Sequence, residues 1–314
     1  MRVFVAGASG AIGRPLVRQL LEAGHEVTGM TRREGAADEI RDAGAEAAVC
    51  DVFDRSALDQ AVAAARPEAM VNELTGLPRD YNILKIDEHL YDATNRVRSE
   101  GGANLLAAAR AAGARRFVTQ SIAFIYAPRG EMVRNEEAPP FDPDLLPEPF
   151  RAGTRVMLDH ERTALEAEGL ETLVLRYGWF YGPGTHFASD GSIAALVRKR
   201  RFPIMSGAEG RFSFVHVEDA AAATVVACER GTPGVYNVVD DEPATGGEWL
   251  PAYAAALGAR RPWRVPDWLA RLLGGRVARM MSNLRGASNA KAKRELRWQP
   301  RYPSWRQGFR EALG

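Results

Sequence analysis

The chain has 314 residues, 46% of them hydrophobic and 26% charged, which is enough apolar material to bury a large core and argues against disorder. Its formal net charge of +1 leaves no excess of basic charge for nucleic acid or an anionic membrane surface, so neither is expected as a partner. Cys50 and Cys228 show no metal-ligand spacing and no disulfide framework, so they read as core thiols and no metal site is expected. The chain opens on MRVFVAG without an apolar leader, and no apolar run reaches membrane-spanning length; a cytoplasmic location is the expectation.

In chain order, short β-branched runs alternate with longer Ala/Leu-rich stretches of helical period: RVFVA, then AIGRPLVRQLLEA, then HEVTGM. This alternation predicts right-handed βαβ units and a parallel sheet. Further strands are readable at EAAVC, AMVNE, RFVTQS and TLVLR, and the helix ANLLAAARAAG closes on Gly113. Six such strands make a doubly wound, Rossmann-type α/β sheet. After Arg176 the pattern loosens into aromatic, Gly-rich and Pro-rich segments, with two late strand candidates at FSFVHV and VYNVV. The expected division is a dinucleotide-binding unit over residues 1–176, to which 212–240 return, and a smaller, discontinuous substrate lobe over 177–211 and 241–314.

The stretch VAGASGAIGRPL places Gly7, Gly10 and Gly13 between the first strand and the first helix. Glycines there permit a tight turn and let backbone N–H groups approach a pyrophosphate at the helix N-terminus; Ser9 and Ile12 share that turn. The second strand ends in GMTRRE, with no carboxylate for the adenosine ribose hydroxyls. Arg32 and Arg33 stand there instead, and guanidinium groups suit a 2′-phosphate, so NADP(H) is expected over NAD(H). Asp51 and Val52, just past the third strand, are expected at the adenine edge.

Seven segments carry a resemblance that spans nearly the whole chain: GASGAIG, NLLAAARAAGARRFV, QSIAFIYAP, LVLRYGWFYGPG, FVHVEDAA, VYNVVDDEP and LRWQPRYPSWRQGF. Together they resemble the extended short-chain dehydrogenases/reductases, the group that includes nucleotide-sugar epimerases and dehydratases. The resemblance implies a homodimer built on two helices, at residues 103–112 and 155–168. It also implies reactive groups that this chain lacks. The family's catalytic Ser or Thr falls on Ile122, and the Asp/Glu pair of its dehydratases falls on Ala123 and Phe124. Counting back from Glu161, the Tyr-x-x-x-Lys pair falls on Gly153 and Met157. That tyrosine exchanges a proton at the substrate carbonyl, and the lysine tunes it and holds the nicotinamide ribose; a hydrogen atom and a thioether can do neither. The family's Asn after the sixth strand falls on Trp179, and its pyrophosphate-binding Arg falls on Phe212.

Each of these residues taken singly could be core packing, but together Ile122, Ala123, Phe124, Gly153, Met157, Trp179 and Phe212 describe a remodelled apolar substrate pocket. Two proton donors are left as candidates. Tyr81 has Lys85 one helical turn away, and Ser121, which is also expected to contact the cofactor, ends the fifth strand. The leading expectation is an NADP(H)-dependent oxidoreductase for a small, largely apolar carbonyl, imine or conjugated substrate; hydride addition to an iminium needs no protein acid in the same step. Two others stay open: a redox-silent NADP-binding sensor or scaffold, and a redox-neutral isomerase, cyclase or epimerase using the same pocket.

Overall fold

The apolar runs form seven parallel strands: β1 (Arg2–Ala6), β2 (Glu26–Thr31), β3 (Glu46–Val49), β4 (Ala69–Asn72), β5 (Arg116–Ile122), β6 (Glu171–Tyr177) and β7 (Gly234–Val238). They hydrogen-bond in the order β7-β6-β5-β4-β1-β2-β3. The computed structural model describes residues 1–78, 89–205, 209–266 and 281–313; Tyr81 and Lys85 lie outside the described residues. The sheet therefore has one strand more than the first half of the sequence spells out: VYNVV returns as the edge strand β7, pairing Gly234 with Leu173. FSFVHV instead contributes Phe214–His216, which pairs in parallel with Trp179–Tyr181 just past the end of β6.

Strand alternation sorts the side chains between two helical layers. Val3 and Val5 of β1 pack with Leu16 and Leu20 of helix α1 (Gly13–Glu22). Phe4 and Ala6 pack on the other face with Leu58 and Val62 of α2 (Arg55–Ala65) and Leu105 of α3 (Gly102–Ala111). Cys50 and Cys228 are buried and unbridged, one in each layer. A third core, rich in aromatic rings, gathers Tyr181, Phe187, Phe214, Trp249 and Trp305 beyond the carboxyl ends of the strands. Among the described residues no helix is long and apolar enough to cross a membrane.

The helix expected at residues 155–168 begins more than one turn earlier. Helix α4 spans Phe150–Leu165, with Pro149 at its N-cap position and Thr154 inside it. Pro147 and Pro149 each offer a carbonyl to the helix, accepting from the Arg151 and Gly153 N–H groups, and Glu148 Oε2 accepts the Ala152 N–H at 3.2 Å between them, so the first turn is closed.

Candidate functional site

The head of α1 is a cradle that side chains would fill. Gly7 has φ +94°, and a Cβ there would lie 2.8 Å from the Glu73 carbonyl carbon. A Cβ at Gly13 would lie 2.1 Å from the Gly7 carbonyl oxygen, so neither position tolerates a side chain without moving backbone. Helix α1 starts at Ile12 with no side-chain cap, which leaves first-turn N–H groups for an anion. The Ser9 hydroxyl lies 3.3 Å from Thr31 Oγ1, tying the turn to the end of β2. Arg32 and Arg33 follow Thr31, both exposed, and among the described residues neither guanidinium has an acidic partner. These features fit a nicotinamide dinucleotide. Asp51 accepts the Phe53 N–H at 3.0 Å and shapes the turn after β3, and Val52 beside it is buried.

At the carboxyl ends of β5 and β6 the residues expected to line a pocket come together as stacked rings. Phe124 and Trp179 lie face to face, with centroids 4.3 Å apart and planes 15° apart. Phe212 stands 6.0 Å from Trp179, and Phe187 closes the far side at 6.4 Å. Trp179 keeps a buried Nε1–H without an acceptor. Ile122 is half-buried, and Ala123 is buried against Tyr126 and Ala287. Met157 is buried, and Gly153 faces the ring of Tyr91: a Cβ at Gly153 would lie 3.5 Å from Tyr91 Cδ2.

Ser121 is engaged in a buried polar chain. Its hydroxyl donates to Glu161 at 2.5 Å, and Arg176 donates to both carboxylate oxygens of Glu161 at 2.9 and 2.6 Å. Arg176 also donates to the Tyr126 hydroxyl at 3.2 Å, which in turn donates to Asn237 at 2.6 Å. Burial works against the Arg176 charge, but the hydrogen bonds and charge of Glu161 outweigh it and hold the guanidinium above its ordinary pKa. Burial raises the Tyr126 phenol. His216 caps the next helix by accepting the Glu218 N–H, and Asp219 accepts the Arg301 and Tyr302 N–H groups, so the VHVED turn is structural.

Four residues near this site escaped the reading of the sequence. Tyr91 occupies the space beside Gly153, and Asn95 points a buried, unpaired Oδ1 to the same place, 3.8 Å from a Cβ built there. Arg98 is half-buried, and burial pulls its guanidinium below the ordinary value, against the charges of Tyr91 and Glu161. Burial, reinforced by Arg98, brings His160 down to about 4, so its imidazole is neutral at physiological pH and is no ready proton donor. The signal in the sequence was faint: His160 shares α4 with Met157, but only the packing of the 91–98 segment against α4 brings Tyr91, Asn95 and Arg98 to it.

A parallel sheet in this order, with a glycine cradle at its first turn, defines a nicotinamide-dinucleotide enzyme of the short-chain dehydrogenase/reductase type. The chain belongs to the NAD dependent epimerase/dehydratase family, which it matches over residues 3–238. It is 45% identical over 312 residues to the 3-diazoavenalumate denitrifying reductase of a Streptomyces species, covering 98% of this chain and 99% of that protein. It is 29% identical over 268 residues to the ceramide reductase of Caulobacter vibrioides, covering 84% of this chain and 74% of that one. The UDP-glucose 4-epimerase of Thermotoga maritima shares the fold with a TM-score of 0.76 at 21% identity, covering 100% of this chain and 97% of that one. The chain is thus an oxidoreductase of this superfamily.

Proposed function

We propose that the chain is an NADP(H)-dependent reductase that delivers hydride to an electrophilic nitrogen or carbon on an aromatic substrate, with an arenediazonium group as the preferred acceptor. One observation carries the reading: where a carbonyl reductase needs an acid, this site has Gly153, Met157 and stacked rings. A ketone accepting hydride must also gain a proton. An arenediazonium ion plus hydride gives arene plus dinitrogen, with no proton added from outside, so the missing phenol and ammonium cost nothing. Removing a lysine from position 157 also removes a like charge from the path of a cationic substrate. The name of the relative from Streptomyces supports the same class of acceptor.

When bound, the dihydronicotinamide supplies the hydride. Gly7, Gly10 and Gly13 admit the pyrophosphate, Arg32 and Arg33 take the 2′-phosphate, and Phe124, Trp179 and Phe212 hold an arene and exclude water. The test is NADPH consumption with a panel of an arenediazonium carboxylate, an iminium ion and a ketone. Dinitrogen release and formation of the hydrogen-substituted arene are expected for the first. Turnover of the ketone alone would overturn the assignment of the acceptor, and consumption of none would overturn the reductase reading.

The choice of cofactor has its own expected outcome. NADP(H) binds at least tenfold more tightly than NAD(H), about 1.4 kcal/mol, and Arg32→Glu narrows the gap. Calorimetric titration checks it; equal affinities in the unmodified protein would remove Arg32 and Arg33 from the site.

A further inference from the structure

Among the described residues, two guanidinium groups on segments adjoining the Phe124, Trp179 and Phe212 rings have no acidic partner. Arg134 ends the short strand Val133–Arg134, which pairs in parallel with Gly286–Ala287, Ala287 opposite Arg134. Paired residues on neighbouring strands share a face, as do residues two apart on one strand. Arg134 and Ala287 therefore share one face of this ribbon, and Arg285 immediately precedes its second strand. That face looks toward the end of β5, because Ala287 is buried against Ala123 and Tyr126. The opposite face, at Gly286, meets Pro243 and Arg211.

The ribbon is tied to the cleft by backbone. Arg211 N–H donates to the Leu284 carbonyl at 3.0 Å, Ala287 N–H donates to Ser213 Oγ at 2.9 Å, and Trp179 N–H donates to the Ser213 carbonyl at 2.8 Å. The segments that carry Trp179, Phe212, Arg134 and Arg285 are thus joined by a continuous set of backbone hydrogen bonds.

Both arginines are half-buried, and each has a buried Nε–H with no acceptor. Arg285 spends one Nη1–H on the Asn283 carbonyl, and the Arg134 guanidinium lies against Gly130. Neither forms an ion pair with any described residue. The nearby carboxylate of Glu136 is turned away, accepting the Asn237 N–H at 2.8 Å, and Arg211 is already paired with Glu248. A buried N–H without an acceptor costs free energy that a ligand oxygen would recover, and the Nε and Nη edge of a guanidinium matches the two oxygens of a carboxylate.

We propose that Arg134 and Arg285 form a carboxylate-binding site at the rim of the aromatic cleft, taking the acid group of an aryl or arylalkenyl acid whose ring lies against Phe124 and Trp179. The proposal rests on the reading of the cleft as an arene site and extends it from the reacting end of the substrate to its anionic end. The acceptor and the anchor then sit at opposite ends of one flat molecule, and neutral arenes are discriminated against by two unfilled guanidinium groups.

The test uses 4-hydroxycinnamate and 4-hydroxycinnamamide as probes, with binding to the intact protein read by quenching of tryptophan fluorescence. The acid should bind roughly tenfold to a hundredfold more tightly than the amide. Arg285→Met and Arg134→Met should each erase most of that preference by weakening the acid far more than the amide, and an unchanged thermal melt reports that the variants are folded. Arg285→Lys, which keeps the charge and loses the fork, should fall between. Equal binding of acid and amide by the unmodified protein, no binding of either, or a preference that survives both substitutions overturns the site. Turnover of arenediazonium salts without a preference for acids would sink the carboxylate site and leave the proposed reaction standing. Arginine-dependent binding of cinnamate without turnover of any diazo compound would do the reverse.

Discussion

Glu161→Gln is expected to lower the stability of the protein by about 3–5 kcal/mol, and Arg176→Met by a similar amount, because each leaves a buried group without its partner. The two side chains are each only 6% exposed and meet through two hydrogen bonds. Solvent screening, which makes surface pairs nearly worthless, has little access here. Glu161→Gln leaves an uncompensated guanidinium among β5, β6 and α4, and it weakens the bond that Ser121 donates. The double variant Glu161→Leu/Arg176→Met should cost clearly less than the sum of its parts, since no lone charge remains. Urea unfolding at neutral pH measures all three. A loss below about 1 kcal/mol in both single variants would mean that water reaches the pair.

The second large effect is a dependence on pH. Glu73 follows β4 and lies directly under Gly7; its Oε1 accepts the Tyr177 hydroxyl at 2.8 Å, and its Oε2 is buried without a partner. Burial pushes its carboxyl up from 4.5 to about 8, against the hydrogen bond from Tyr177. Between those two values the folded protein keeps a proton that the unfolded chain has released. The contribution of this group is therefore complete below about pH 4.5 and is lost as the pH climbs toward about 8. Over that interval the loss is on the order of 4–5 kcal/mol. Glu73→Gln keeps the shape, removes the titration, and should flatten the fall in stability between pH 6 and pH 8.5. Parallel stability profiles for the two proteins would show that Glu73 is ionised in the fold.

Much of the scaffold is legible in the sequence because its causes are local. The alternation of strand and helix periods is carried within each short run, and it yields β1 through β6 at nearly their observed bounds. The seventh strand and the earlier start of α4 needed more. VYNVV joins the sheet only because β6 offers an open edge, and Phe150 enters the helix because two proline carbonyls and the Glu148 carboxylate close its first turn.

The site divides in the same way. The sequence by itself determined the glycine cradle, since a Cβ at Gly7 or Gly13 meets backbone that the adjoining strands and turn dictate. It also determined what is missing, because a lost tyrosine and lysine show as Gly153 and Met157 whatever surrounds them. Only the tertiary structure decided what took their place. Tyr91 reaches Gly153, Phe124 stacks on Trp179, Ser121 is drawn to Glu161, and Arg134 and Arg285 come to one two-stranded ribbon with no acidic partner among the described residues. Each of these pairs joins residues far apart in the chain, and the free energy of a buried ring, charge or unpaired N–H depends on which distant elements pack around it.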